Sequence, residues 1–476
     1  MIPKDFTRRN FLGTASLIGA AALGLETASA AADAPKPASF SVDFTQPGKL
    51  LRPLNGTNFW AKLNGNRIFD AHDLIADLNF STVRLHDIPL QNAGMRLVDT
   101  HMIFGNFSAD ASDPKNYYFA ATDDYIKRIL DGGSKVIYRL GASIEHTQPN
   151  RYFAKEPTDH DQFTAICEGI IRHFNEGWVD GFKYDIQYWE VWNEPNLNPQ
   201  MWDHDFAAYC KFYVHVTKRL KAAFPHLKIG GPALTHAGEP LIRQFLQACR
   251  DAQAPVDFFS WHCYARTPED VLHSPAMVQQ LLAEYGYPNA ELHLNEWHYF
   301  PCDWSEIHGT VGGAARKIYW RNCPEGMNGI DSAAFCAHVL TRWQDTPLTM
   351  SNYYATTSRN WGLLSDDMEI RKPYYAFLAF GKIMKEKPVC VATTDQKYVS
   401  LLGAASESGK KALLISNWKQ NVESLEVRLS GVPASGEVTL WRLDGENDLT
   451  ETRLSYTDSL LKIANRPGSW VLAIQF

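Results

Sequence analysis

The chain predicts an α/β fold, a (β/α)8 TIM barrel carrying an accessory antiparallel β-sandwich domain, and three observations predict it. Between residues 53 and 387, short β-rich runs alternate with longer segments of helical period, the signature of βα units around a parallel sheet. The runs that read as barrel strands are eight, near 54–60, 82–86, 135–140, 187–192, 227–230, 257–262, 291–295 and 348–353. After Pro388 the texture changes to alternating strands parted by Gly, Pro and Asn turns, with no helical pattern between them.

Taken in order, the 476-residue chain opens on Thr7-Arg8-Arg9-Asn10-Phe11-Leu12-Gly13, runs weakly apolar to Leu25, and reaches Ala28-Ser29-Ala30. A charged region, an apolar core and a small-residue cleavage site are the layout of a signal peptide. The paired arginines make it a twin-arginine export signal. Its apolar core of about 15 residues is short of the roughly 18 to 20 that cross a bilayer as a helix. Residues 1–30 are therefore set apart from the fold, and the mature protein is expected in the periplasm of a bacterium or secreted, with no stable membrane insertion. Residues 31–52 carry the strand Phe40-Ser41-Val42-Asp43-Phe44, which is expected to join the sandwich before the chain enters the barrel.

Within the barrel, Ile68, His72, Ile75 and Leu78 recur at helical spacing. Thr122 is expected to cap a helix that stops at Gly132-Gly133, and Thr158 to open another carrying Phe163, Ile166, Ile170 and Phe174. In residues 388–476 the sandwich strands are Leu413 to Trp418, Ser424 to Leu429, Glu437 to Trp441 and Trp470 to Ile474. No internal repeat or low-complexity linker is present, so the two domains are expected to pack together rather than be tethered.

Net charge is −7 and no basic run interleaves with aromatics, which argues against nucleic acid as a partner. Aromatics reach 12% with 14 Trp, more than a core of this size ordinarily needs; such rings stack on the apolar faces of sugars, although most of them will be core. The cysteines, at 167, 210, 249, 263, 302, 323, 336 and 390, include no C-x-x-C pair, so neither a zinc ribbon nor a thioredoxin-like motif is present, and no metal or other cofactor is expected. Cys302 and Cys323 form the pair to test for a disulfide, and the others read as free thiols, mostly buried. No pattern specifies an oligomeric state.

The chemistry concentrates at two strand ends. Trp192-Asn193-Glu194-Pro195 closes the run Ile186 to Val191, and Leu292-His293-Leu294-Asn295-Glu296-Trp297 is a second ending of the same kind. In a TIM barrel the reacting groups sit at the C-terminal ends of the strands, here the fourth and the seventh. Two carboxyls so placed suit cleavage of a glycosidic bond, where one donates a proton and the other attacks or assists at the anomeric carbon. Strand ends across a barrel mouth bring carboxyls to about 5 to 5.5 Å, the separation of a retaining mechanism. The proton donor must then be held protonated by burial or by its neighbour's charge, and the nucleophile kept ionised among donors. Asn193 can hydrogen-bond the sugar hydroxyl beside the anomeric carbon. Arg84 and His86, two apart on the second strand, can hold the nucleophile or a sugar hydroxyl; His262 and Tyr264, two apart on the sixth, point together into the interior. Glu145 and His146 follow the third strand as possible substrate-lining residues, and Trp361 is a candidate floor for the site.

Asn193-Glu194-Pro195 ending the fourth strand, with Glu296 ending the seventh, resembles clan A of the glycoside hydrolases. Gly230-Gly231-Pro232-Ala233, Ser260-Trp261-His262-Cys263-Tyr264, Asn295-Glu296-Trp297, Gly362-Leu363-Leu364 and Arg371-Lys372-Pro373 are similar, in this order, to family 39, the β-xylosidases and α-L-iduronidases. The resemblance covers residues 40 to 476. It implies that Glu194 is the acid/base, that Glu296 is the nucleophile supported by His262 and Tyr264, and that the enzyme is a retaining, exo-acting glycosidase of oligosaccharides or glycan side chains needing no cofactor. The chain departs from the family at the eighth strand, where Ser351 to Asn360 replace an acidic, Phe-containing segment, and after Glu296, where Trp297-His298-Tyr299-Phe300 replace small polar residues. Trp297 and His298 are therefore expected to line rebuilt sugar subsites, and Arg359 can meet a sugar carboxylate through a two-pronged contact. An endo-acting enzyme on a polysaccharide and a transglycosylase would use the same residues; a barrel that only binds carbohydrate would not need both glutamates.

Overall fold

The computed structural model describes residues 37–46, 48–60, 71–87, 96–145, 152–302, 304, 326–358, 360–386, 388–465 and 467–476, and places 36–476 in one compact unit. The export signal, Ile68, His146, Cys323 and Arg359 lie outside the described residues. A leading strand β1 (Ala38–Asp43) and a two-residue β2 (Lys49–Leu50) precede the barrel. The barrel is β3 (Gly56–Asn58), β4 (Thr82–Leu85), β5 (Lys135–Leu140), β6 (Tyr188–Val191), β7 (Lys228–Leu234), β8 (Phe258–Ala265), β9 (Glu291–Tyr299) and β10 (Met350–Tyr353), closed by parallel pairing of β10 with β3. Each strand falls where a β-rich run predicts it. The first is shorter than the predicted 54–60, and the sixth and seventh run on to Ala265 and Tyr299.

Helices between the strands follow the apolar spacing, with two corrections at their starts. The helix Ala120–Asp131 takes Phe119 as its N-cap, and Thr122 lies inside it, its hydroxyl donating to the Leu97 carbonyl. It stops as predicted: Gly133 has φ 84°, Ser134 N–H reaches Ile129 O, and Gly133 N–H reaches Leu130 O, the paired bonds of a Schellman ending. The helix His160–Asn175 is capped by Asp159, whose side chain accepts from Gln162 N at 2.9 Å, so Thr158 lies one residue before the cap. Phe163, Ile166, Ile170 and Phe174 are all buried along its inner face. No helix among the described residues is long and apolar enough to cross a membrane.

The sandwich has a seven-stranded sheet and a three-stranded one. β11 (Val389–Asp395), β12 (Val399–Ala405), β13 (Lys411–Asn417), β15 (Gly436–Leu443), β16 (Asp448–Tyr456) and β18 (Trp470–Gln475) join β2 in the first; β14 (Ser424–Ser430) and β17 (Leu460–Ala464) join β1 in the second. β1 does enter the sandwich, but parallel to β14, so the module is antiparallel elsewhere and not at this edge. Alternate residues of β13 explain its unbroken apolar run: Leu413 and Ile415 face the sandwich core, whereas Leu414, with Leu402, Leu443 and Val471, belongs to the core shared with the barrel. The central strands of the large sheet, β12, β13, β15 and β18, thus contribute to both cores, which is how the two domains pack.

Candidate active site

The fourth barrel strand, β6, ends in a constrained turn. Trp192 (φ 74°) and Glu194 (φ 44°) both occupy the left-handed region, which costs a non-glycine residue on the order of 1 kcal/mol or more and persists only where the surroundings hold it. Here they do. Trp192 Nε1 donates to Met201 O at 2.8 Å with its ring edge-on to Trp202, and Glu194 N–H donates to Ala233 O at 2.9 Å. With Trp192 anchored outward, Asn193 and Glu194 are turned to the barrel mouth.

The seventh strand, β9, uses a different device. Its pairing with β8 steps from Trp261↔Leu294 to His262↔Glu296, and its pairing with β10 from Ser351↔Leu294 to Tyr353↔Trp297. One extra residue on β9, a β-bulge, therefore sits at Asn295-Glu296, and it aims two successive side chains inward. Asn295 reaches Glu190, and Glu296 reaches the mouth.

Arg84 on β4 organises both ends. Its Nη1 donates to Glu296 Oε2 at 3.2 Å, Nη2 to Asn193 Oδ1 at 2.6 Å, and Nε to Glu190 Oε2 at 2.7 Å. Tyr264 donates its hydroxyl to Glu296 Oε1, while His262 Nδ1 lies 2.8 Å from Glu194 Oε1 and Nε2 lies 3.6 Å from Glu296 Oε2. One oxygen from each of Glu194 and Glu296 and a ring nitrogen of His262 fall within 4.8 Å of one another. These three are also the described residues whose donor atoms could surround a cation, but Arg84 already brings a positive charge to Glu296.

Burial pushes the Glu296 carboxyl above its ordinary range, and the nearby Glu194 charge adds to the rise; His262, Arg84 and the Tyr264 hydroxyl oppose it. The expected nucleophile is thus not depressed, since desolvation outweighs its donors. Burial lowers His262 to about 4, so the ring is neutral near pH 7. A neutral imidazole with its proton on Nδ1 can donate to Glu194 Oε1 whether that group is a carboxylate or an acid, and in the acid form this puts the proton on Oε2, from where it can pass to a leaving oxygen.

Arg84, Asn193, His262, Tyr264 and the two glutamates are thus brought together, with one departure: the hydrogen bond of His262 goes to Glu194 and not to Glu296, the partner the family resemblance implies, from which its Nε2 stands 3.6 Å away. Trp361 joins them through Tyr264, whose ring stands edge-on to Trp361 (5.3 Å), Trp304 (5.1 Å) and Phe300 (6.3 Å). Those three rings lie within 21° to 29° of parallel and form a wall beside the tyrosine. His86 is buried and lies 3.5 Å from Asp87 Oδ2, with no bond to either catalytic candidate. Burial, with the charges of Arg139 and Arg84, holds its pKa well below the usual histidine range.

Trp297 is a correction. It points away from the mouth into the core between Trp343, Tyr353 and Phe377, its Nε1 on Ser351 Oγ at 3.2 Å, because alternation after Glu296 sends it outward. His298 is a second: Nδ1 is bonded to Tyr299 O (2.7 Å) and Nε2 to the Tyr353 hydroxyl (2.6 Å), so the ring braces Tyr353 and backs Trp361 rather than offering a free donor. Glu145 Oε2 accepts from the backbone N–H groups of Tyr152, Phe153 and Ala154 and orders that loop. Cys302 is disulfide-bonded, its expected partner lies outside the described residues, and the other six described cysteines are free thiols.

Glu190, Asn58 and Ser260, which complete the network around Arg84, and Trp304 are not among the residues the sequence singles out, whereas Phe300 belongs to the segment after Glu296 expected to rebuild the subsites. Glu190 carried a signal: a charge flanked by Trp189 and Val191 in a buried strand.

A closed parallel barrel with two carboxylates and their donors at the C-terminal strand ends defines a barrel of the glycosidase type. Residues 45–422 match the glycosyl hydrolases family 39, and the chain belongs to that family. It is 29% identical over 199 residues to a β-xylosidase of Geobacillus stearothermophilus, covering 38% of each chain. It is 24% identical over 354 residues to a β-xylosidase of Caldicellulosiruptor saccharolyticus, covering 68% of this chain and 66% of the other. The aligned stretches thus span 38% and 66% of these relatives' lengths. In fold it is similar to a glucosidase from Croceicoccus marinus, with a TM-score of 0.73 at 20% identity over 92% of this chain and 99% of that one.

Proposed function

We propose that the chain is a retaining, exo-acting glycoside hydrolase that cleaves terminal O-glycosidic bonds of oligosaccharides or glycan side chains by double displacement. The observation that carries this reading is the approach of one Glu194 oxygen and one Glu296 oxygen to within 4.8 Å, which favours the roughly 5 to 5.5 Å carboxyl separation of a retaining enzyme over the wider spacing that an inverting enzyme leaves for water. In the first step a Glu296 oxygen bonds to the anomeric carbon as the bond to the leaving oxygen breaks, and the proton of the Glu194 carboxylic acid passes to that oxygen. In the second, the Glu194 carboxylate takes a proton from water, the water oxygen bonds to the anomeric carbon, and Glu296 departs as carboxylate. Asn193, bonded through its Oδ1 to Arg84, would meet the adjacent hydroxyl.

The sugar of first choice is xylose, on the strength of the two β-xylosidase relatives, with glucose next from the structural neighbour. A panel of aryl xylosides, arabinosides, galactosides, glucosides and uronides tests the sugar. NMR of the first product tests the mechanism: the anomeric configuration should match the substrate's, and initial inversion would overturn double displacement. Release of long fragments from a polymer would overturn exo action.

We further propose periplasmic or secreted action through the twin-arginine segment around Arg8 and Arg9. The R8K/R9K double variant should leave precursor in the cytoplasm, since the export receptor reads that pair as an address; mature periplasmic protein at the normal level would assign export to another route.

A further inference from the structure

Glu190 is a third carboxylate in the barrel, and neither step of the double displacement uses it. It lies in β6 four residues before Glu194 and is 0% exposed. An ionised carboxylate in such a place must be held by donors. Three hold it, each from a different strand: Arg84 Nε at 2.7 Å, Ser260 Oγ at 2.7 Å, and the Asn295 amide. Each donor belongs to the catalytic constellation by position. Arg84 contacts Asn193 and Glu296, Ser260 lies two residues before His262, and Asn295 immediately precedes Glu296 within the bulge.

We propose that Glu190 is a positioning residue for the nucleophile: it takes the shorter bond to Arg84, holding the guanidinium on Asn193 while limiting how much of its charge falls on Glu296. The inference rests on the glycosidase reading of the site and deepens it. Arg84 lies 2.7 Å from Glu190 and 3.2 Å from Glu296, so one cation is shared unequally between two anions. A guanidinium committed to Glu296 alone would make a stronger charge-assisted bond, stabilising the carboxylate and weakening its attack on carbon. The groups facing Glu296 are Arg84 from β4, Glu194 after β6, His262 and Tyr264 from β8, and Tyr354 after β10. Those facing Glu190 are Arg84, Ser260 and Asn295, with Tyr209, from the helix Phe206–Ala223, and His262 near enough to feel its charge.

Glu190→Gln removes the competing anion and keeps the shape. The Glu296 midpoint should fall by about one pH unit, and kcat should fall about tenfold as the nucleophile is held more tightly. Ser260→Ala strips a donor from Glu190 and leaves its charge, so Glu190 draws harder on Arg84 and the Glu296 midpoint should rise by a smaller amount. A merely structural role predicts no such pair of opposite shifts. The measurement is a pH titration of full-length protein carrying carboxyl-13C glutamate, with Glu296 assigned by its loss in Glu296→Gln, beside pH profiles of kcat/KM on an aryl glycoside. A downward shift in E190Q and an upward one in S260A support the proposal. An unmoved Glu296 midpoint in folded E190Q overturns it. Should E190Q fail to fold, S260A decides: a rise supports the proposal and its absence sinks it. The titration needs no turnover, so opposite shifts in a chain inactive on every aryl glycoside would refute the hydrolase reading alone, and normal hydrolysis without shifts would refute this inference alone.

Discussion

Replacing Glu296 with Gln is expected to abolish hydrolysis, with a loss of at least about a hundredfold in kcat on every substrate the wild type accepts. On the proposed mechanism Glu296 forms the covalent bond to the sugar, and among the described residues neither of the neighbouring carboxyls can replace it: Glu194 is turned to His262, and Glu190 is sealed beneath Arg84. Gln is a better probe than Ala because it retains one oxygen for the Tyr264 hydroxyl or Arg84 Nη1, the two donors that hold Glu296. Its amide faces the other donor, at a cost of roughly 1–3 kcal/mol, so thermal unfolding measured alongside separates lost chemistry from lost fold. Azide should not restore the original configuration. Retention of more than about a hundredth of the wild-type rate in a folded variant would remove Glu296 from the nucleophile's role.

The parts of this site legible in the sequence are those governed by strand periodicity. The two-residue spacing of His262 and Tyr264 pairs them on one face, and they reach Glu194 and Glu296 respectively. The same rule, applied to Glu296, sends Trp297 outward; adjacency in sequence suggested a substrate contact that the pleat forbids. The bulge at Asn295-Glu296 was not legible, because a single extra residue in a ladder leaves no mark in composition and is defined only against its neighbours. Arg84 was recognised as a candidate holder of the nucleophile, yet its division between Glu190 and Glu296 depends on distances across three strands. His298 shows the limit on polar residues: alternation returns it to the side of Glu296, but Tyr353 and the Tyr299 carbonyl consume both ring nitrogens. At the scale of the fold, β13 read as a strand because its apolar run is short and bounded by turns, whereas β16, mostly exposed, offered no apolar pattern and was missed.

Glu194→Ala should divide substrates by leaving group. Hydrolysis of saccharides and alkyl glycosides is expected to fall by about 10²- to 10⁴-fold, because their leaving oxygen must be protonated as the bond breaks. Activated aryl glycosides should lose far less in the first step, since a good leaving group departs with little protonation, and breakdown of the glycosyl-enzyme should then limit turnover. His262 cannot take over the proton transfer: its pKa near 4 leaves it neutral at pH 7, a poor acid and a weak base. Loss of the side chain opens space beside His262 on the mouth, where Glu194 is the more exposed of the two carboxylates, 13% against 7%. Azide can enter that space and attack the anomeric carbon without needing deprotonation, so it should accelerate turnover of activated substrates and yield a glycosyl azide of retained configuration. Steady-state rates on a leaving-group series, with and without azide, and NMR of the azide product make the measurement. An equal loss on both substrate types with no azide rescue would show that Glu194 is not the acid/base, and His262, hydrogen-bonded to Glu194, would then be the holder of a structural carboxylate rather than of a catalytic one.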